Sequence, residues 1–164
     1  MFWILVLSYW IHLLSTVVWF GSLVLMGLAA WPARQKGVGA NNIWLTLQKR
    51  LTPWANVSLI LLLITGFVQM TNDTNYNGFL AIDSVWAWAM LVKHAAFVLL
   101  AAITVYLQFG LHPAMDRLAL LAEKRPNLAQ TEQSSLDQRE KQMLGLNLAC
   151  AALILFCTAV ATAV

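Results

Sequence analysis

Residues 84–111 read SVWAWAMLVKHAAFVLLAAITVYLQFGL, and Lys93 is their only charged side chain. At about 1.5 Å per helical residue this run is long enough to cross the roughly 30 Å of hydrocarbon in a bilayer. The same reading extends to three other stretches. Met1–Ala30, Pro53–Asn72 and Gln142–Val164 contain no Asp, Glu, Lys or Arg. The runs predict an all-α integral membrane four-helix bundle, with spans at about 2–30, 53–71, 84–111 and 143–163. They form a single transmembrane domain covering residues 1–164. The first span lacks a basic leader and is too long for a signal-peptide core, so it is read as a span rather than a cleaved segment.

Composition points the same way. Of 164 residues, 60% are hydrophobic and 10% charged, against about 25% charged in soluble domains. This excludes a soluble enzyme, a disordered chain and an ordinary nucleic-acid binder. Two cysteines do not make a disulfide framework. The net charge of +3 is explained by where the basic residues fall. Arg34, Lys36, Lys49 and Arg50 precede the second span, and Arg117, Lys124, Arg125, Arg139 and Lys141 lie between the third and fourth. The positive-inside rule makes these two basic loops cytoplasmic and both termini outward. The basic loops meet lipid headgroups, and no nucleic-acid partner is implied.

Local signals mark the ends of the spans. Thr52-Pro53 reads as an N-cap followed by proline at the first helical position, which starts the second span there. Ile43, Trp44, Leu47 and Leu51 share one face of a short helix expected to lie in the interface. Asp83 or Ser84 caps the third span. Trp3, Trp31, Trp54, Trp86 and Trp88 fall near span ends as an aromatic belt. Pro113–Lys124 reads as a further amphipathic helix broken by Pro126-Asn127, and Ser134 or Ser135 caps a polar turn before the fourth span.

Ionisable residues inside a membrane are costly, and function is their default reading. His12 and the adjacent Lys93-His94 lie deep in the first and third spans, which run in the same direction. Each histidine is about ten residues in, roughly 15 Å below the outer end. Imidazoles at matched depth on parallel helices can serve haem iron as axial ligands in a bundle core. Ser8, His12, Ser15, Trp19, Ser22 and Met26 recur at helical spacing on the first span. Trp86, Met90, His94, Ala101 and Gln108 do so on the third, and Asn147, Cys150, Ile154, Cys157 and Ala161 on the fourth. The second span offers Asn56, Gly66 and Met70. No carboxylate lies within any of the four spans, which leaves backbone carbonyls, water, deprotonation, Asp73 or Asp83 of the outer loop, or a ligand's carboxylate for Lys93. Of these, the propionate of a haem is the partner inferred. Lys93 or Met90 is the alternative axial ligand to His94. The candidate cofactor-binding set is thus His12, Ser15, Trp19, Met90, Lys93 and His94, with His12 and His94 as the metal ligands. His112 is read as an interfacial histidine near a helix end, and Cys150 and Cys157 as buried free thiols in a packing seam. Soft copper(I) ligation by these cysteines with Met70, Met90 or Met143 is the sharper alternative.

His12-Leu13-Leu14 with Trp19-Phe20-Gly21 resembles the first-helix signature of the copper-resistance-D (CopD) and HemJ-type membrane proteins. Lys49-Arg50-Leu51-Thr52-Pro53 with Gly66-Phe67 is similar to their second helix. The stretch from Trp86 to Lys93 is similar to their tryptophan-rich third helix and its lysine. The resemblance implies a four-helix core. In HemJ-like members that core holds haem b and oxidises protoporphyrinogen without oxygen, with functional positions matching His12 and Lys93 here. CopD-like members are tied to copper uptake. The chain departs from both in His94, in the Trp31-Pro32 end of the first span, and in having no copper-binding outer domain. The expected function is a membrane-embedded b-type haem protein that passes electrons. It would work as a subunit of a larger membrane complex, or with a quinone or a periplasmic carrier. Protoporphyrinogen oxidation and copper transport are the alternatives, and whether the chain is an enzyme stays open.

Overall fold

The computed structural model describes the backbone of residues 2–33, 38–76, 78, 82, 84–122 and 126–164. Within the helices, it describes the side chains of 2–26, 47, 49–76, 84–118 and 132–164. All regular structure among these residues is helical: α1 Phe2–Ala33, α2 Val38–Thr71, α3 Val85–Tyr106, a π-turn Leu107–Leu111, α4 His112–Ala122 and α5 Pro126–Ala163. Four stretches, Phe2–Met26, Lys49–Thr71, Val85–Leu118 and Glu132–Ala163, are long and apolar enough to cross a membrane. Their outward side chains suit lipid rather than water: Trp3 is 78% exposed and Phe109 77%. Among the described residues, Trp3, Trp54 and Trp88 are exposed belt candidates, whereas Trp86 is buried. Trp31 lies outside the described side chains.

The chain divides into two compact units, Met1–Ile82 and Asp83–Val164. In the first, α1 and α2 form an antiparallel pair. Ser8, Ser15, Trp19, Ser22 and Leu23 are buried on α1, and Ala55, Ser58, Thr65 and Met70 on α2. Small side chains let membrane helices approach closely, because apolar bulk gains nothing by leaving lipid. The hydroxyls of Thr16 and Ser22 are satisfied within their own helix. Thr16 donates to the His12 carbonyl at 2.8 Å and Ser22 to that of Val18 at 2.6 Å. The sequence stripe on the first span is therefore the packed face.

The start of the second span is not at Pro53. α2 begins at Val38 and runs through Pro53, so the interfacial segment and the span are one helix. Proline removes one helical N–H, and the bond it forgoes is to the Lys49 carbonyl. Lys49 and Pro53 are exposed, so water or headgroups can serve that carbonyl. The side chains of Ile43 and Trp44 lie outside the described residues.

In the second unit α3 packs on α5. Ser84 is the N-cap of α3, its Oγ accepting the Ala87 N–H at 3.2 Å. The buried face of α3 is Trp86, Ala89, Ala96, Leu100 and Ile103, with Leu107 and Leu111 following in the π-turn. It is offset from the expected stripe: Met90, His94, Ala101 and Gln108 are only half-buried. The steps are three, seven, four, three and four residues up to Leu107, the seven being one three-plus-four repeat of a coiled-coil seam. An α-helix would next bring residue 110 to the seam. Instead Gly110 is exposed and Leu111 buried. The π-turn absorbs one extra residue and keeps the seam facing α5. Ile103, Leu107 and Leu111 form a buried cluster covered by Met115, Leu136, Met143 and Leu144.

Between the third and fourth spans the described residues 112–122 and 126–142 are helical rather than loop, and α5 begins at Pro126 instead of near 143. Ser134 and Ser135 lie inside it, so neither caps a turn before the fourth span. Proline suits a helix start, where its missing N–H has no helical partner. His112 sits within a continuous helical rod rather than at a helix end. Its Nε2 is 3.7 Å from the Glu140 carboxylate, which is 1% exposed against 25% for the histidine. Glu140 lies in the stretch Glu132–Ala163, just ahead of the charge-free run read as the fourth crossing.

Candidate functional site

His12 projects from the α1 seam toward α2. Its Nδ1 lies 2.8 Å from the Thr65 hydroxyl. Thr65 donates its single hydroxyl proton back along its own helix to the Leu61 carbonyl, at 2.6 Å. The hydroxyl can therefore only accept from His12, so Nδ1 carries the proton and the lone pair is on Nε2. Ser8 and Gln69 brace this contact. The Ser8 hydroxyl donates to the Thr65 carbonyl at 3.5 Å, and the Gln69 amide donates to the Ser8 carbonyl at 3.3 Å. Gly66 lies against the ring, where an added Cβ would be 3.7 Å from His12 Cε1. Ser15 and Trp19 continue the same face and are buried.

His94 reaches the same chemical state by a different route. Its Nδ1 is 2.6 Å from the Met90 carbonyl one turn back. A carbonyl only accepts, so Nδ1 is again the donor and Nε2 holds the lone pair. Met90 thus takes part through its backbone oxygen. Lys93 is half-buried beside the α3 seam and near enough to Cys157 of α5 to interact with it electrostatically. Among the described residues, no hydrogen bond or ion pair joins Lys93 to a carboxylate. Cys150 and Cys157 are free and buried, as expected. Among the described residues, no group of three or more His, Cys, Asp and Glu is placed to hold a metal ion.

His12, Ser15 and Trp19 belong to the first unit and Met90, Lys93 and His94 to the second. Within each unit the structure brings the histidine to a fixed acceptor. Thr65 was missed by the sequence reading, although Ser58, Thr65 and Gln69 recur at helical spacing and mark a polar face of the second span. Asn147 was placed on the correct face, but its bond to the Thr104 hydroxyl at 3.1 Å has no one-dimensional signal.

Four apolar crossings, two of them carrying an oriented imidazole, define a polytopic helical membrane protein with intramembrane donor groups. The family model of Copper resistance protein D, CopD, matches residues 45–161, well over half of the chain. The chain belongs to the CopD family. The match spans Thr65, Lys93 and His94, and begins after His12. No curated protein and no solved structure matches the chain.

Proposed function

We propose that the chain is a membrane-embedded haem b protein with an electron-transfer role, in which His12 and His94 would hold the iron through Nε2. The observation that carries this is a shared geometry, each Nδ1 set against an oxygen that is already committed as an acceptor. Both imidazoles donate Nδ1–H, one to Thr65 and one to the Met90 carbonyl. This is how protein-bound metals have their histidines oriented, with the second nitrogen held by a carbonyl or other acceptor. By helical rise, each histidine lies about 15 Å into its own crossing.

The donor set fits a porphyrin better than a bare ion. A porphyrin supplies four nitrogens itself and asks the protein for only one or two ligands. When bound, haem iron supplies a one-electron couple. The residues of this chain hold and tune it: His12 and His94 ligate, Thr65 and the Met90 carbonyl orient them, and the Lys93 ammonium neutralises a propionate. Ser15 and Trp19, buried on the same face of α1 as His12, complete the proposed binding set. The basic segments face the cytoplasm and the termini the periplasm of a bacterial inner membrane. A larger membrane complex, a quinone or a periplasmic carrier takes or gives the electron.

Copper handling is the second reading, favoured by the family to which the chain belongs. Metal analysis separates the two. Full-length protein purified from cells supplied with both haem precursor and copper should give a pyridine haemochrome near one haem per chain and little copper. Stoichiometric copper with no haemochrome overturns the haem reading and leaves the copper one.

A further inference from the structure

The two imidazoles are held unequally. His94 donates to a peptide carbonyl of its own helix at 2.6 Å, an acceptor fixed by the backbone and beyond the reach of side-chain substitution. His12 donates to a side-chain hydroxyl on another helix at 2.8 Å, and that hydroxyl is an acceptor only because Leu61 takes its proton. Thr65 is buried, its carbonyl is tied to Ser8, and Gly66 next to it leaves room for the ring. The His12 ring nitrogen, the Thr65 hydroxyl and the Leu61 carbonyl thus form one chain of hydrogen bonds between the two helices.

We infer that Thr65 is the positioning residue of His12: it fixes the Nδ1–H tautomer and thereby makes Nε2 the nitrogen that meets a metal. Its effect on ligation rests on the haem or metal reading above, whereas its effect on the tautomer does not. Without the hydroxyl, Nδ1 loses its acceptor on α2. The Nε2–H form is then admitted, and in that form the lone pair points at α2. The strength of the bond also sets the basicity of the ligand, and loss of such an outer partner weakens metal binding by about 10- to 100-fold. Thr65 thus tunes one end of the centre independently of His94.

The test is nitrogen-15 NMR of histidine-labelled, full-length protein in lipid at pH 8, with no haem or metal added. The variants are Thr65→Val and Thr65→Ser, and His12 signals are assigned by their loss in His12→Gln. The wild type and Thr65→Ser should show a single Nδ1-protonated tautomer at His12, and Thr65→Val a mixture or the Nε2-protonated form. His94 should be unchanged in all of them. An Nε2-protonated His12 in the wild type, or a Thr65→Val spectrum identical to wild type, overturns the inference. Haem or metal retention is measured on the same samples. It should fall about 10- to 100-fold in Thr65→Val and recover in Thr65→Ser. A tautomer shift in protein that binds neither haem nor metal upholds the role of Thr65 and refutes the ligation reading instead.

Discussion

The π-turn makes a sharp prediction about which residues of the third crossing can be removed. Deleting one residue from an α-helix rotates everything beyond it by about 100°. With Cα atoms on a radius of about 2.3 Å, seam positions move by about 3.5 Å around the axis. Removing the exposed Leu99 would turn Leu100, Ile103, Leu107 and Leu111 out of the α5 contact. These residues are 0%, 6%, 5% and 2% exposed. At roughly 2 kcal/mol for each large buried side chain that loses its packing, the loss rivals the whole stability of a typical domain. Removing Gly110 should be far milder. It lies in the five-residue π-turn and is exposed, so its deletion lets the turn relax to α-helix. Leu111 then falls three positions after Leu107, which is a seam step. The expected cost is about 1 kcal/mol or less, the range of a surface change with local repacking. Both deletions are assayed in full-length protein by SDS-induced loss of helical circular dichroism in mixed micelles. Equal, severe destabilisation by the two deletions would refute the register argument.

Other consequences are smaller. His112→Ala removes the partially exposed half of the pair with Glu140. It should destabilise the protein by about 1–3 kcal/mol, below the figure for a fully buried partner because the histidine is screened, as read by the same micelle titration. Asn147→Leu should be close to neutral or stabilising. The Asn147 Oδ1 is buried without a hydrogen-bond partner among the described residues, and interhelical bonds of this kind average only about 0.6 kcal/mol in membranes. Thr104→Val, which strips the acceptor from the Asn147 amide, should instead destabilise by about 1 kcal/mol. Lys93→Met should leave folding intact while shifting the haem midpoint potential or lowering haem retention. Unchanged haem content and potential would remove the propionate role.

The crossings were legible in the sequence because each follows from length and charge exclusion, which need no tertiary information. The α1 stripe was legible for the same reason, since Ser8, Ser15, Trp19 and Ser22 stand out against lipid-facing Leu and Val. The ends of the helices were not. Pro53 and Ser134 carry strong local signals, yet neighbouring turns continue the helix through both. Polar residues beyond the hydrocarbon extend α5 back to Pro126 without leaving an apolar trace. The seam of α3 was misread by about one residue because Met90 and His94 drew attention by their chemistry, whereas Ala89, Ala96 and Leu100 do the packing. Glu140 was overlooked because a charge at the edge of an apolar run looks like a boundary until its burial is known. Thr65 matters through a hydrogen bond between helices, and no spacing rule within one helix contains it.

The account stands most directly on the coordination of the purified protein. Electron paramagnetic resonance of the oxidised full-length protein should show a low-spin haem iron with two nitrogenous axial ligands. His12→Ala and His94→Ala should each convert that signal to high-spin or lose the haem altogether. A low-spin signal that survives both substitutions, or wild-type protein that takes up no haem, would contradict the assignment of these two imidazoles.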